Sequence, residues 1–104
     1  MQQTIIAKYH DGDDWNVLGI IIETTGNTGL TNVSSIQRAF IAAANEFAAT
    51  PDGKDVIDDN SGDFNYGDFV NNVPNEICEK HGFKIVDTFQ TDLIVDHDEC
   101  LVDQ

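Results

Sequence analysis

From Val33 onward, apolar residues recur at Ile36, Phe40, Ala43 and Phe47, intervals of three and four that put all five on one helical stripe. Thr31, Asn32 and Ser34 stand where such a helix needs its N-cap. The only charges between Val33 and Phe47 are Arg38 and Glu46. The spacing therefore predicts a core helix that contributes little to the acidity of the chain. A helix of this kind needs an apolar surface to pack on, and its flanks supply strand-like runs.

Thr4 to His10 (TIIAKYH) and Trp15 to Thr24 (WNVLGIIIET) are rich in β-formers and are separated by the turn signal DGDD, which predicts a β-hairpin. The dense run Leu18 to Ile22 suits a central strand or one buried on both faces, with Gly19 as the site of a bulge. TGNTGLTN reads as a loop, and TPDGKDVIDDNSGD, after the helix, as a long acidic one. Phe69, Val73 and Ile77 predict a second, shorter helix, interrupted or begun at Pro74 and closed by Gly82 after Lys80. FKIVDTF and LIVDHDECL, separated by QTD, predict a second hairpin turning near Thr91. The order ββααββ gives one α+β domain over residues 1–104, an antiparallel sheet of about four strands with two helices on one face.

A chain of 104 residues supports one modest core. Its net charge of -14 is the extreme quantity, yet 40% hydrophobic residues suffice for folding. Self-repulsion of this size costs stability and exceeds what solubility requires, so it points to a cationic partner or a very salty environment. The second is the weaker explanation, because nothing else in the sequence suggests salt adaptation. No run of 18 apolar residues occurs, and the opening MQQTIIAKYHDG lacks the features of a signal peptide, so a cytoplasmic protein is expected. The two cysteines, Cys78 and Cys100, are too few for a disulfide scaffold and are expected as free thiols.

DVIDDNSGDFNYGDF resembles a calcium-binding loop when Ile57 to Asp68 are taken as its twelve positions. Asp59, Ser61 and Gly62 then fall on the third, fifth and sixth, and Phe64 on the apolar eighth. Two ligands fail, since Ile57 occupies the first position and Asp68 is shorter than the bidentate Glu of the twelfth. TPDGK also interrupts the entering helix. Cys78 with His81, and His97 with Cys100, have ligand-like spacing. On a strand, however, residues three apart point to opposite faces. No metal site and no cofactor are expected. The chain has no nucleophile elbow, no HExxH and no phosphate-binding loop, and TTGNTGLTN departs from GxGxxG, so it is not expected to be an enzyme.

The acids form three sequence clusters: Asp11, Asp13 and Asp14; then Asp52, Asp55, Asp58, Asp59, Asp63 and Asp68; then Asp92, Asp96, Asp98, Glu99 and Asp103. Aspartate dominates, which keeps each charge near the backbone at low rotamer cost. On a strand Asp96 and Asp98 would share a face ~6.7 Å apart, close to two ~3.4 Å axial steps of one DNA strand. A short, very acidic chain without a catalytic motif resembles the DNA-mimic inhibitors of phages and mobile elements, including several anti-CRISPR proteins. The resemblance is one of type and covers no family motif. It implies a non-enzymatic inhibitor whose acids bind a basic nucleic-acid-binding surface of another protein, with no direct contact to nucleic acid or membrane. Asp11, Asp13, Asp14, Asp55, Asp58, Asp59, Asp63, Asp68, Asp92, Asp96, Asp98 and Glu99 are the expected contact residues. The alternatives are an acidic structural or interaction subunit without mimicry and a divalent-metal-binding domain.

Overall fold

The computed structural model describes residues 2–10, 14–25, 32–59, 65–91 and 101–102. Strands β1 (Gln2–His10) and β2 (Trp15–Thr24) form the expected antiparallel hairpin, in a register that sets Ile5 opposite Ile20 and Ala7 opposite Leu18. Side chains alternate across a strand, so Ile5, Ala7, Tyr9, Leu18, Ile20 and Ile22 turn together into the core.

Helix α1 (Val33–Ala48) packs on that face through Ile36, Phe40, Ala43, Ala44 and Phe47. The stripe begins one turn later than its spacing suggests, because Val33 is 62% exposed at the helix entrance. Phe40 lies at the centre, its ring 5.1 Å from Phe69 in a T-shaped contact, 5.4 Å from Tyr66 and 6.2 Å from Phe83. Asn32 is the cap: its side chain accepts the Ser35 N–H at 2.8 Å, and the Ser35 hydroxyl accepts the Asn32 N–H at 3.3 Å. Asn32→Ala is expected to destabilise the fold by ~1 kcal/mol. A urea titration checks this, with the midpoint falling at unchanged slope.

The stretch read as a long acidic loop is helical at its start. Helix α2 (Pro51–Asp59) follows α1 after a two-residue joint. The Thr50 hydroxyl accepts the Gly53 N–H at 3.0 Å and donates to the Phe47 carbonyl at 2.6 Å, Pro51 fills the first helical position, and Asp52 lies in the first turn. These are ordinary helix-start features, yet PDG reads equally as a turn. The single second helix expected around Pro74 is instead two, α3 (Tyr66–Asn72) and α4 (Asn75–Lys80). Proline forces its predecessor out of helical geometry, and Val73 is extended at ψ 130. Gly82 ends α4 at φ 92, as its position suggested.

Strand β3 (Phe83–Thr91) joins the free edge of β2 antiparallel. The register shift lies between Ile21 and Ile22, where Val86 is the extra residue of β3, and not at Gly19. Gly19 stays in register between Ile6 and Phe89, and the Phe89 ring lies over it in the space a Cβ would fill, so a larger residue there would push that ring aside. Residues 92–100, which hold most of the second hairpin expected at the C-terminal end, lie outside the described residues. β4 (Leu101–Val102) pairs in parallel with β1 at Ala7 and Lys8, giving the order β3-β2-β1-β4. With β2 between β1 and β3, each of those strands keeps one open edge, and β4 takes that of β1. The α+β class stands, with three antiparallel strands, one short parallel strand and four helices among the described residues. No helix among the described residues is long and apolar enough to cross a membrane.

Candidate acidic interface

Helix α2 organises the central acidic cluster. At 100° per residue, Asp52, Asp55, Asp58 and the Asp59 position fall within an arc of about 120°, opposite Gly53, Val56 and Ile57. Asp52, Asp55 and Asp58 are exposed, Gly53 is buried, and Val56 and Ile57 are half-buried. Amphipathicity thus fixes which side of α2 carries charge. The three exposed carboxylates span six residues, an axial length of about 9 Å.

The remaining expected contact residues are placed less uniformly. Asp14 is exposed just before β2. Asp68 is half-buried in the first turn of α3, where its N–H donates to the Asn65 side chain at 2.9 Å and its carbonyl accepts from Asn72 at 2.8 Å. A carboxylate there complements the helix N-terminus, which gives Asp68 a local structural role. Asp11, Asp13, Asp63, Asp92, Asp96, Asp98 and Glu99 lie outside the described residues, as does the pairing expected of Asp96 and Asp98. The structure adds exposed acids that cluster counting passed over, Glu76 and Glu79 on α4 and Asp87 on β3. Their isolation in sequence hid them.

Glu46, the one acid of α1, ties that helix to α4. It accepts from the Lys80 ammonium at 3.0 Å and lies 3.3 Å from Nε2 of His81. The hydrogen bond from Lys80 holds the Glu46 carboxyl below its usual value, His81 acts in the same direction, and desolvation opposes both. The pairing therefore contributes at neutral pH and is lost as pH falls through the depressed value.

The calcium-like frame is occupied by helix at both ends, since Ile57 to Asp59 belong to α2 and Asp68 to α3. Cys78 carries a free thiol, 1% exposed, while His81 faces Glu46; His97 and Cys100 lie outside the described residues. Among the described residues no three His, Cys, Asp or Glu side chains converge as a metal site would require. Burial pushes the Cys78 thiol up to about 11, with Glu79 adding to the shift. The thiolate is the reactive form. Alkylation of Cys78 at pH 8 is therefore expected to be slow in the native protein and rapid in denaturant, measured by mass spectrometry of the labelled peptide.

An open cleft of about 200 Å³ lies between α3 and the sheet, lined in part by Tyr9, Gly67, Val70, Asn71, Thr88 and Gln90. It is smaller than the ~300 Å³ at which small-molecule sites begin. Apart from the Tyr9 phenol, its lining offers no acid, base or thiol. Comparison with protein-family models, curated proteins and solved structures finds no match to this chain.

Proposed function

We propose that the chain is a non-enzymatic binding protein whose aspartates occupy a basic nucleic-acid-binding surface on another protein and so compete with DNA or RNA, as in the DNA-mimic inhibitors it resembles. The observation that carries this reading is the exposed face of α2. Asp52, Asp55 and Asp58 are three residues apart, one charge per ~4.5 Å of helix axis, approaching the ~3.4 Å per charge of one DNA strand. Short aspartate side chains on a helical backbone hold that spacing with little entropy to lose on binding. The net charge of -14 adds long-range attraction to a cationic groove and repulsion from nucleic acid itself.

The test is competition. The tagged protein is used to capture nucleic-acid-binding proteins from a cell extract, and each captured protein is assayed for DNA or RNA binding against increasing amounts of the chain. Displacement that weakens with salt is expected, and Asp52, Asp55 and Asp58 changed together to Asn should weaken it about tenfold or more. A captured partner that keeps its nucleic acid at saturation makes the chain an acidic interaction subunit without mimicry. Undiminished displacement by the triple variant removes α2 from the contact.

A further inference from the structure

The helices cover one face of the sheet. Among the described residues the other carries exposed Trp15, Asp87 and Phe89, half-buried Ile6, Lys8, Val17 and Ile21, and buried Gly19, as strand alternation and the cross-strand register require. Trp15 is 51% and Phe89 43% exposed, and the shortest molecular dimension, 20 Å, is that of one sheet layer and one helix layer. We infer that this open face is a dimer interface between two copies of the chain.

Charge selects a second copy as the occupant. The chain carries -14 overall, so two copies repel unless they meet where that charge is absent. On the open face Lys8 and Lys84 offset Glu23 and Asp87, with Lys84 and Glu23 already paired at 3.8 Å. Asp87 and Lys8, whose ammonium lies 5.2 Å from the centre of the Trp15 ring, are arranged symmetrically. Ile6, Gly19 and Phe89 form the central row, since Ile6 pairs with Gly19 and Gly19 with Phe89. Lys8 stands two residues beyond that row on β1, and Asp87 two residues before it on β3. Each is about 8 Å from the Gly19 centre, at opposite ends of one diagonal. A two-fold axis lying in the interface, through that centre and perpendicular to the diagonal, sets Lys8 of each copy over Asp87 of the other. Such a patch is self-complementary, as an isologous contact must be.

Edge-to-edge pairing through β3 is the less favoured route to the same dimer. The extra residue Val86 distorts that edge, and the Asp87 carboxylate accepts the Thr88 N–H at 2.8 Å. Face-to-face packing needs no free backbone groups. Three strands of about nine residues offer at most roughly 400 Å² per copy, about half of a standard interface, so the contact is weak and transient. The dimer is therefore concentration-dependent. Higher salt strengthens it by screening the like net charges, opposite to its effect on an acid-to-base contact.

Sedimentation equilibrium of the intact protein up to about 1 mM, in low salt and in about 0.5 M NaCl, tests this. The expected result is a monomer–dimer equilibrium that tightens with salt, accompanied by a blue shift and reduced acrylamide quenching of Trp15, the sole tryptophan. Lys8→Asp or Asp87→Lys alone should weaken the dimer about tenfold, and the two together should restore it to within about threefold. Circular dichroism establishes that each variant is folded. A monomer at every concentration overturns the inference, as does a tryptophan already shielded in the monomer or a dimer that the charge exchange fails to rescue.

Discussion

Phe40→Ala is expected to destabilise the protein by about 3 to 5 kcal/mol, the cost of removing a fully buried phenylalanine and leaving a cavity. Phe40 is 0% exposed and lies among the Tyr66, Phe69 and Phe83 rings, so its loss removes the contact shared by α1, α3 and β3. Those neighbours belong to different elements, and no single side chain can swing in to fill the space. Domains of this size hold roughly 5 to 15 kcal/mol in total. The melting temperature should accordingly fall by more than about 12 °C. Phe40→Leu, which keeps most of the volume, should cost under about 2 kcal/mol. Near-equal melting temperatures for the two variants would mean that the aromatic cluster is not the centre of the core.

Gly53→Ala is expected to destabilise by about 2 kcal/mol, although helix propensity alone predicts a gain of about 1 kcal/mol. Gly53 lies in the first turn of α2, where a Cβ would run into the backbone carbonyl of Phe47 and crowd the Cα of Ala48 at 2.9 Å. That carbonyl also accepts the Thr50 N–H at 3.0 Å and the Thr50 hydroxyl at 2.6 Å, so it cannot move without opening the joint between α1 and α2. Steric overlap with a fixed backbone therefore outweighs propensity. The urea midpoint should fall. A rise would show that α2 is free to shift, and that its carboxylates are held less firmly than the proposed function requires.

Much of the fold was legible where one local rule acted alone. The stripe from Val33 to Phe47 and the β-rich runs on either side of DGDD gave the right element types, and α1 and the first hairpin follow them, although Val33 itself is exposed. The TPDG joint admitted two readings. Thr50 and Pro51 are good helix-start residues and PDG is a good turn, and the contact of Gly53 with the end of α1 decides between them. Of the acids expected to make contact, sequence clustering found the α2 group but could not orient it, and it passed over Asp87, which the register sets diagonally from Lys8 two strands away.

The sequence by itself determined the α+β class, the apolar faces, the cap at Gly82 and the excess of negative charge, because these depend on periodicity, side-chain chemistry and counting, while the choice of Asn32 among three N-cap candidates came from the structure. Only the tertiary structure decided that β4 lies beside β1 and not β3, since strand pairing is a competition among edges that no single strand encodes. It likewise placed the Phe89 ring, seventy positions away in the chain, directly over Gly19. The placement of Lys8 and Asp87 at opposite ends of one diagonal of the sheet is of the same kind: each residue looks ordinary in its own strand, and the relation between them exists only after β2 has brought both strands to its sides.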